Sequence, residues 1–136
     1  MKFLLDTNVV SEGRRRRPDP GVARWLRNAP SGDLFVSVLV LGEMRKGVEA
    51  LRPRDPARAQ EHESWLIQLA TVYEGRILTV TEAVADAWGR LNATRTLPST
   101  DSLMLATAAV HGLTFVTRNT ADVARTAVPV LNPFSA

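Results

Sequence analysis

The sequence predicts a three-layer α/β fold in which a central parallel sheet of four to five strands is flanked by helices. Two observations carry the α/β class. Residues 2–5, 34–38, 77–80 and 114–117 are short runs rich in leucine or β-branched residues, each bounded by turn or capping residues, as buried strands are. Between them lie segments of helical period long enough to cross over a sheet, and strands alternating with helices build parallel sheets.

In chain order, the first strand ends at Asp6 and a helix covers residues 21–28. The NAPSGD loop of residues 28–33 leads to the second strand and then to a helix over 39–51. The PRDP turn of residues 53–56 opens a helix over 56–73, which feeds the third strand. Helices over 82–94 and 100–111 follow, separated by the loop at Leu97-Pro98-Ser99, and the fourth strand comes next. Asn119 then caps a short helix with Asp122 in its third position. Residues 129–131 form an edge strand, because Pro129 and Pro133 flank it and proline is tolerated mainly at sheet edges. Trp25, Trp65 and Trp88 each sit beside leucine or valine at helical spacing and read as core anchors rather than base-stacking platforms.

A chain of 136 residues with 45% hydrophobic and 23% charged residues is expected to form a single domain over 1–136 with no linker. It has no cysteine, which excludes disulfides and thiolate zinc sites, and only two histidines, His62 and His111. The apolar run Phe3-Leu4-Leu5 stops at Asp6, and no stretch approaches the roughly 18 apolar residues of a membrane span. A cytoplasmic protein without a membrane partner is expected. Net charge is +3 and 15 of the 17 cations are arginine, whose planar fork suits phosphate or carboxylate. Genome base composition explains such a bias equally well.

The acidic residues point to chemistry. Asp6 follows the first strand, and open α/β sheets bind ligands beyond the carboxyl ends of their strands. It reads equally as a helix N-cap. Glu43 borders the apolar side formed by Leu39, Val40, Met44, Gly47, Val48 and Leu51, where a carboxylate pressed toward the core needs a partner or a cation. Glu49 lies opposite, paired with Arg45 four residues earlier on a solvated face. Asp101 is in the first turn of its helix, where the macrodipole favours an acid, yet shares a face with Leu105 and Ala108. Asp122 reads first as part of a structural cap. Their coincidence at one sheet rim is the stronger observation. Crowded carboxylates need a multivalent cation, and all-oxygen donors suit Mg²⁺ or Mn²⁺ rather than zinc.

The segments LLDTNVVSE, SVLVLGEMRKGVEALR, DSLMLATAAVHGL and FVTRNTADV, with the final VPVLNPF, resemble the PIN-domain family over nearly the whole chain. More narrowly the sequence resembles VapC-type toxins of the FitB-like branch, ribonucleases held inactive by a co-encoded antitoxin. The resemblance implies that Asp6, Glu43, Asp101 and Asp122 bind the metal, with Asn119 an alternative to Asp122 as ligand or orienter. Thr7, Asn8 and Thr117 are expected to hydrogen-bond the ligands. Ser102 stands where the family often has alanine, with no expected loss of chemistry.

The expected reaction is cleavage of RNA phosphodiester bonds by water, assisted by one or two Mg²⁺ or Mn²⁺ ions, with Glu43 a candidate base. Arg14, Arg15, Arg16 and Arg17 are candidate contacts to RNA or to an acidic antitoxin tail, or simply a solvated loop. Homodimerisation is implied by the resemblance alone. Two other classes compete. A phosphatase using Asp6 as nucleophile usually needs a second acid where this chain has Asn8, and a late amine, whereas the only lysines are Lys2 and Lys46. An inactive nucleic-acid-binding relative would lack a reason to keep the acids. His111 reads as a helix-end dipole partner and His62 as a polar-face residue, both outside the chemistry.

Overall fold

The computed structural model describes residues 1–93, 97–123 and 126–135, with the side chain of Asp122 outside that description. Strand β1 (Phe3–Leu5) is followed by helix α1 (Thr7–Val10), a 3-10 turn (Ser11–Arg14) and α2 (Pro20–Asn28). A second 3-10 turn (Ser31–Asp33) occupies part of the expected NAPSGD loop and leads into β2 (Leu34–Ser37), α3 (Val38–Leu51) and α4 (Pro56–Val72). Then come β3 (Ile77–Leu78), α5 (Glu82–Asn92), α6 (Ser99–His111), β4 (Thr114–Val116), α7 (Thr120–Val123) and β5 (Val130–Leu131). The expected end of α5 at Thr94 lies outside the described residues.

All strand pairs are parallel and the order is β3-β2-β1-β4-β5, with Leu4 in register with Phe35 on one side and Phe115 on the other. The chain winds outward from β1 to β3, then returns to β4 on the other side of β1. Right-handed crossovers therefore place the helices before β3 on one face and those after it on the other. The reversal lies between β1 and β4, the place where such sheets open a crevice at their carboxyl ends.

Local chemistry explains the element ends. Ser37 accepts a hydrogen bond from Leu39 N–H and so diverts Val38, expected in the strand, into α3. Thr81 caps α5 in the same way and ends the third strand before Val80. Asp19 and Asp55 cap helices that begin with Pro20 and Pro56, where a missing N–H costs nothing. Gly112 ends α6 in the left-handed region at φ 65°, which a side chain disfavours. Pro129 has no amide to donate, but its carbonyl accepts from Phe115 N–H at 2.9 Å, so the edge still pairs.

The core is centred on β1 and β4, where Leu4, Leu5, Phe115 and Val116 are almost wholly buried against Val36, Val40, Met104 and Leu105. Each such side chain contributes on the order of 2 kcal/mol through burial. Trp25 meets Phe3 edge-on at 5.0 Å, and both Trp25 and Trp65 pack on the core while remaining half-exposed. Trp88, also half-buried, donates its indole N–H to the fully buried Ser102 Oγ at 3.0 Å. Ser102 in turn donates to Ser99 O, so its hydroxyl serves as both donor and acceptor. Among the described residues no helix is long and apolar enough to cross a membrane.

Candidate active site

Asp6 is both cap and rim residue. Its N–H continues the sheet by donating to Val116 O at 2.9 Å, and its carbonyl starts α1 by accepting from Val9 and Val10. Its side chain caps that helix, Oδ1 accepting from Thr7 N–H at 2.7 Å, while Oδ2 accepts from Thr117 Oγ1 at 2.7 Å and Asn8 Nδ2 at 3.2 Å. Asp6 is only 6% exposed. Burial raises its pKa above the ordinary 3.8; the bonds from Thr117 and Thr7 pull it back, and the charges of Asp101 and Glu43 raise it further.

Glu43 is exposed, contrary to the expectation of a carboxylate pressed toward the core. The buried stripe of α3 runs through Val40, Met44 and Val48, and Glu43 stands beside it at the rim, as does the exposed Gly47. What orients Glu43 is Thr7, whose Oγ1 donates to Glu43 Oε1 at 2.7 Å while its backbone holds Asp6. A cleft of about 470 Å³ between α3 and the start of α6 is lined by Glu43, Lys46 and Thr100, which brings Glu43 to the neighbourhood of Asp101.

Asp101 occupies the first turn of α6. Leu105 and Ala108 on its face are fully buried, but Asp101 itself is exposed, because that face emerges from the sheet at the rim. Its charge reaches Asp6.

Thr117 and Asn8 knit the crevice from both strands. Besides its bond to Asp6, Thr117 Oγ1 accepts from Asn8 Nδ2 at 3.4 Å and from Asn119 N–H at 3.1 Å. Asn8 Oδ1 accepts from Arg118 N–H at 3.3 Å. Asn119 thus reaches the site through its backbone amide and is otherwise exposed. Asp122 is third in α7, as expected, with its side chain outside the described residues.

The arginine run follows the 3-10 turn and is fixed by a residue that sequence reasoning missed. Glu12 is 4% exposed, accepting from Asp19 N–H at 2.7 Å and pairing with Arg15 at 2.9 Å. The only sequence signal was an acid one glycine ahead of four arginines. Lys46 and Thr100 beside Glu43 were missed as well, because their cleft joins helices distant in sequence. His62, read as a polar-face residue, is half-buried and lines a second cleft with the arginine run. The Arg45–Glu49 pair forms as expected at 3.0 Å on an exposed face, and Arg52 and Arg45 hold the Glu49 carboxyl down to about 2.

Asp6, Glu43 and Asp101 offer carboxylate oxygens, the donor type that suits a hard cation. A buried carboxylate is hydrogen-bonded by three neutral groups and faces two like charges, while among the described residues no ion pair engages Asp6 or Glu43. Also among the described residues, no three acidic or histidine side chains stand ready to hold an ion.

With Asp6 at the switch point of this parallel sheet, the family model of the PIN domain covers residues 3–129, and the chain belongs to that family. It is 32% identical to the toxin FitB of Neisseria gonorrhoeae over 97% of this chain and 98% of that protein. It is 26% identical to the VapC ribonuclease Y4jK of Sinorhizobium fredii over 97% of each. Among solved structures, FitAcB from Neisseria gonorrhoeae superposes with a TM-score of 0.85 at 32% identity, covering 96% of this chain and 97% of that one.

Proposed function

We propose that this protein is an Mg²⁺- or Mn²⁺-dependent endoribonuclease and the toxin of a toxin-antitoxin pair. The observation that carries the metal-dependent reading is Asp6: a carboxylate desolvated at the switch point, bonded by neutral donors and facing Asp101 and Glu43. The names of the relatives, a toxin and a VapC ribonuclease, supply the substrate class and the cellular role.

Asp6, Glu43 and Asp101 would hold the ion, with Asp122 as the fourth donor and Asn119 the alternative. When bound, a divalent cation supplies Lewis-acid activation of water and compensates charge developing on the phosphate. The chain's own groups do the rest. Thr117 and Asn8 fix the carboxylate of Asp6, and Thr7 ties Glu43 to the same helix turn. Glu43 would take a proton from the water as its oxygen bonds to phosphorus and the P–O bond to ribose breaks, and the departing ribose oxygen would take a proton from solvent. A co-encoded antitoxin, a homodimer and a cytoplasmic location complete the proposal.

The test is incubation of the purified protein with an RNA pool, with Mg²⁺, Mn²⁺ or a chelator, beside Asp6→Asn and Asp101→Asn. Cleavage is expected only in the wild type with metal. Cleavage that survives chelation and both substitutions contradicts the proposal.

A further inference from the structure

We infer that the cleft between the arginine run and α4 is a subsite for the phosphodiester backbone of the RNA strand flanking the acidic rim, an inference that rests on the ribonuclease reading. The cleft measures about 1210 Å³ and is walled by Arg14, Arg16 and Arg17 on one side and by Arg58, His62 and Trp65 on the other.

Its charge is one-sided. Five arginines line it against two acids, and one of those acids, Asp55, is engaged in capping α4 by accepting from Arg58 N–H. The guanidinium of Arg14 is held below its ordinary pKa by burial and by Arg58, and the His62 imidazole by burial and by Arg14 and Arg58. The cations therefore repel one another across the gap, and an anion threaded between them relieves that repulsion.

The walls are also built rather than loose. Glu12 anchors the run at Arg15 and at Asp19 N–H, and the Arg14 guanidinium lies over the Trp65 ring at 5.8 Å. Arg14 Nη1 is 3.8 Å from the sulfur of Met44, the residue next to Glu43. The cleft's first wall begins at the 3-10 turn that directly follows α1, the helix capped by Asp6. A phosphodiester in register for cleavage must lead its neighbouring nucleotides away from the rim, and the arginine fork engages phosphate oxygens in pairs. Contacts of that kind position a strand without reading its sequence. An acidic peptide would use the same charge, but RNA is the polyanion that the ribonuclease reading supplies.

The experiment measures binding of a fluorescent single-stranded RNA to the full chain by anisotropy, with chelator present so that no cleavage occurs, over a range of salt. Relative to the wild type, the combined Arg16→Gln, Arg17→Gln and Arg58→Gln variant is expected to bind about tenfold more weakly at moderate salt, with a log-log salt slope shallower by about 2. The matching lysine variant keeps the slope, and Arg58→Gln alone, on a helix of its own, lowers it by about 0.7. An unchanged slope in both glutamine variants overturns the subsite. So does loss of oligoglutamate binding with RNA binding intact, which assigns the cleft to an acidic polypeptide. Failure of the wild type to cleave RNA with metal present sinks the nuclease reading and leaves this binding result standing.

Discussion

Thr117 Oγ1 donates to Asp6 Oδ2 at 2.7 Å, joining the ends of β4 and β1 across the point where the strand order reverses. The bond favours the charged form of a carboxylate that burial disfavours. Replacing Thr117 with Val keeps the shape and removes the donor, so Asp6 becomes harder to ionise and holds a cation less well. Groups that orient ligands typically matter by about 10- to 100-fold, and that loss is expected in the Mg²⁺ concentration needed for half-maximal RNA cleavage. Thr117→Ser restores it. Equal Mg²⁺ requirements in wild type and Thr117→Val contradict this role.

Metal-free stability carries a signature of Asp6. Because its folded pKa lies above the ordinary 3.8, the folded chain keeps a proton that the unfolded chain has lost. Stability is therefore greatest where Asp6 is protonated and falls as pH rises through the raised value. Glu49 and Glu63, held low by Arg45 and Arg52, act in the opposite sense. The comparison is accordingly between wild type and Asp6→Asn, melted across acidic to neutral pH in chelator. The wild type is expected to lose stability relative to the variant as pH rises, and Mg²⁺ to raise its melting temperature at neutral pH. Parallel curves contradict the assignment.

Glu12 is expected to be a large stability determinant outside the rim. Glu12→Ala strips an acceptor from Asp19 N–H and the partner from Arg15, costing about 2 kcal/mol. Glu12→Gln retains an acceptor and loses less. Denaturant unfolding measures both, and a negligible change in Glu12→Ala shows that the arginine run is not anchored there.

Ser102 separates stability from chemistry. In Ser102→Ala the Trp88 indole N–H loses its acceptor, which costs about 1 kcal/mol in unfolding free energy with RNA cleavage unchanged. A variant as stable as the wild type removes this role.

The sequence carried the strands and long helices to within a few residues, because runs such as Phe3–Leu5 are short, apolar and bounded by caps whose donors and acceptors act locally. Val38 was misplaced for the same reason: a capping serine decided the boundary against its β propensity. Helical period located Glu43 beside the buried stripe but not its exposure, which depends on what packs opposite, here the turn containing Thr7. The second cleft was invisible because Arg14 meets Trp65 and Met44 only after the chain has folded back through two helices. Glu12 needed the loop geometry that brings Asp19 N–H to it. The neutral donors around Asp6 were legible through the family resemblance, but the double use of Thr7 was not.

The central claim is that Asp6, Glu43 and Asp101 act as one cation site, and Mn²⁺ binding followed by the loss of its free paramagnetic resonance signal tests it without any substrate. Wild type is expected to bind Mn²⁺, with affinity sharply weakened in each of Asp6→Asn, Glu43→Gln and Asp101→Asn while all three remain folded. Binding that is absent in the wild type, or unchanged in the three variants, contradicts the account.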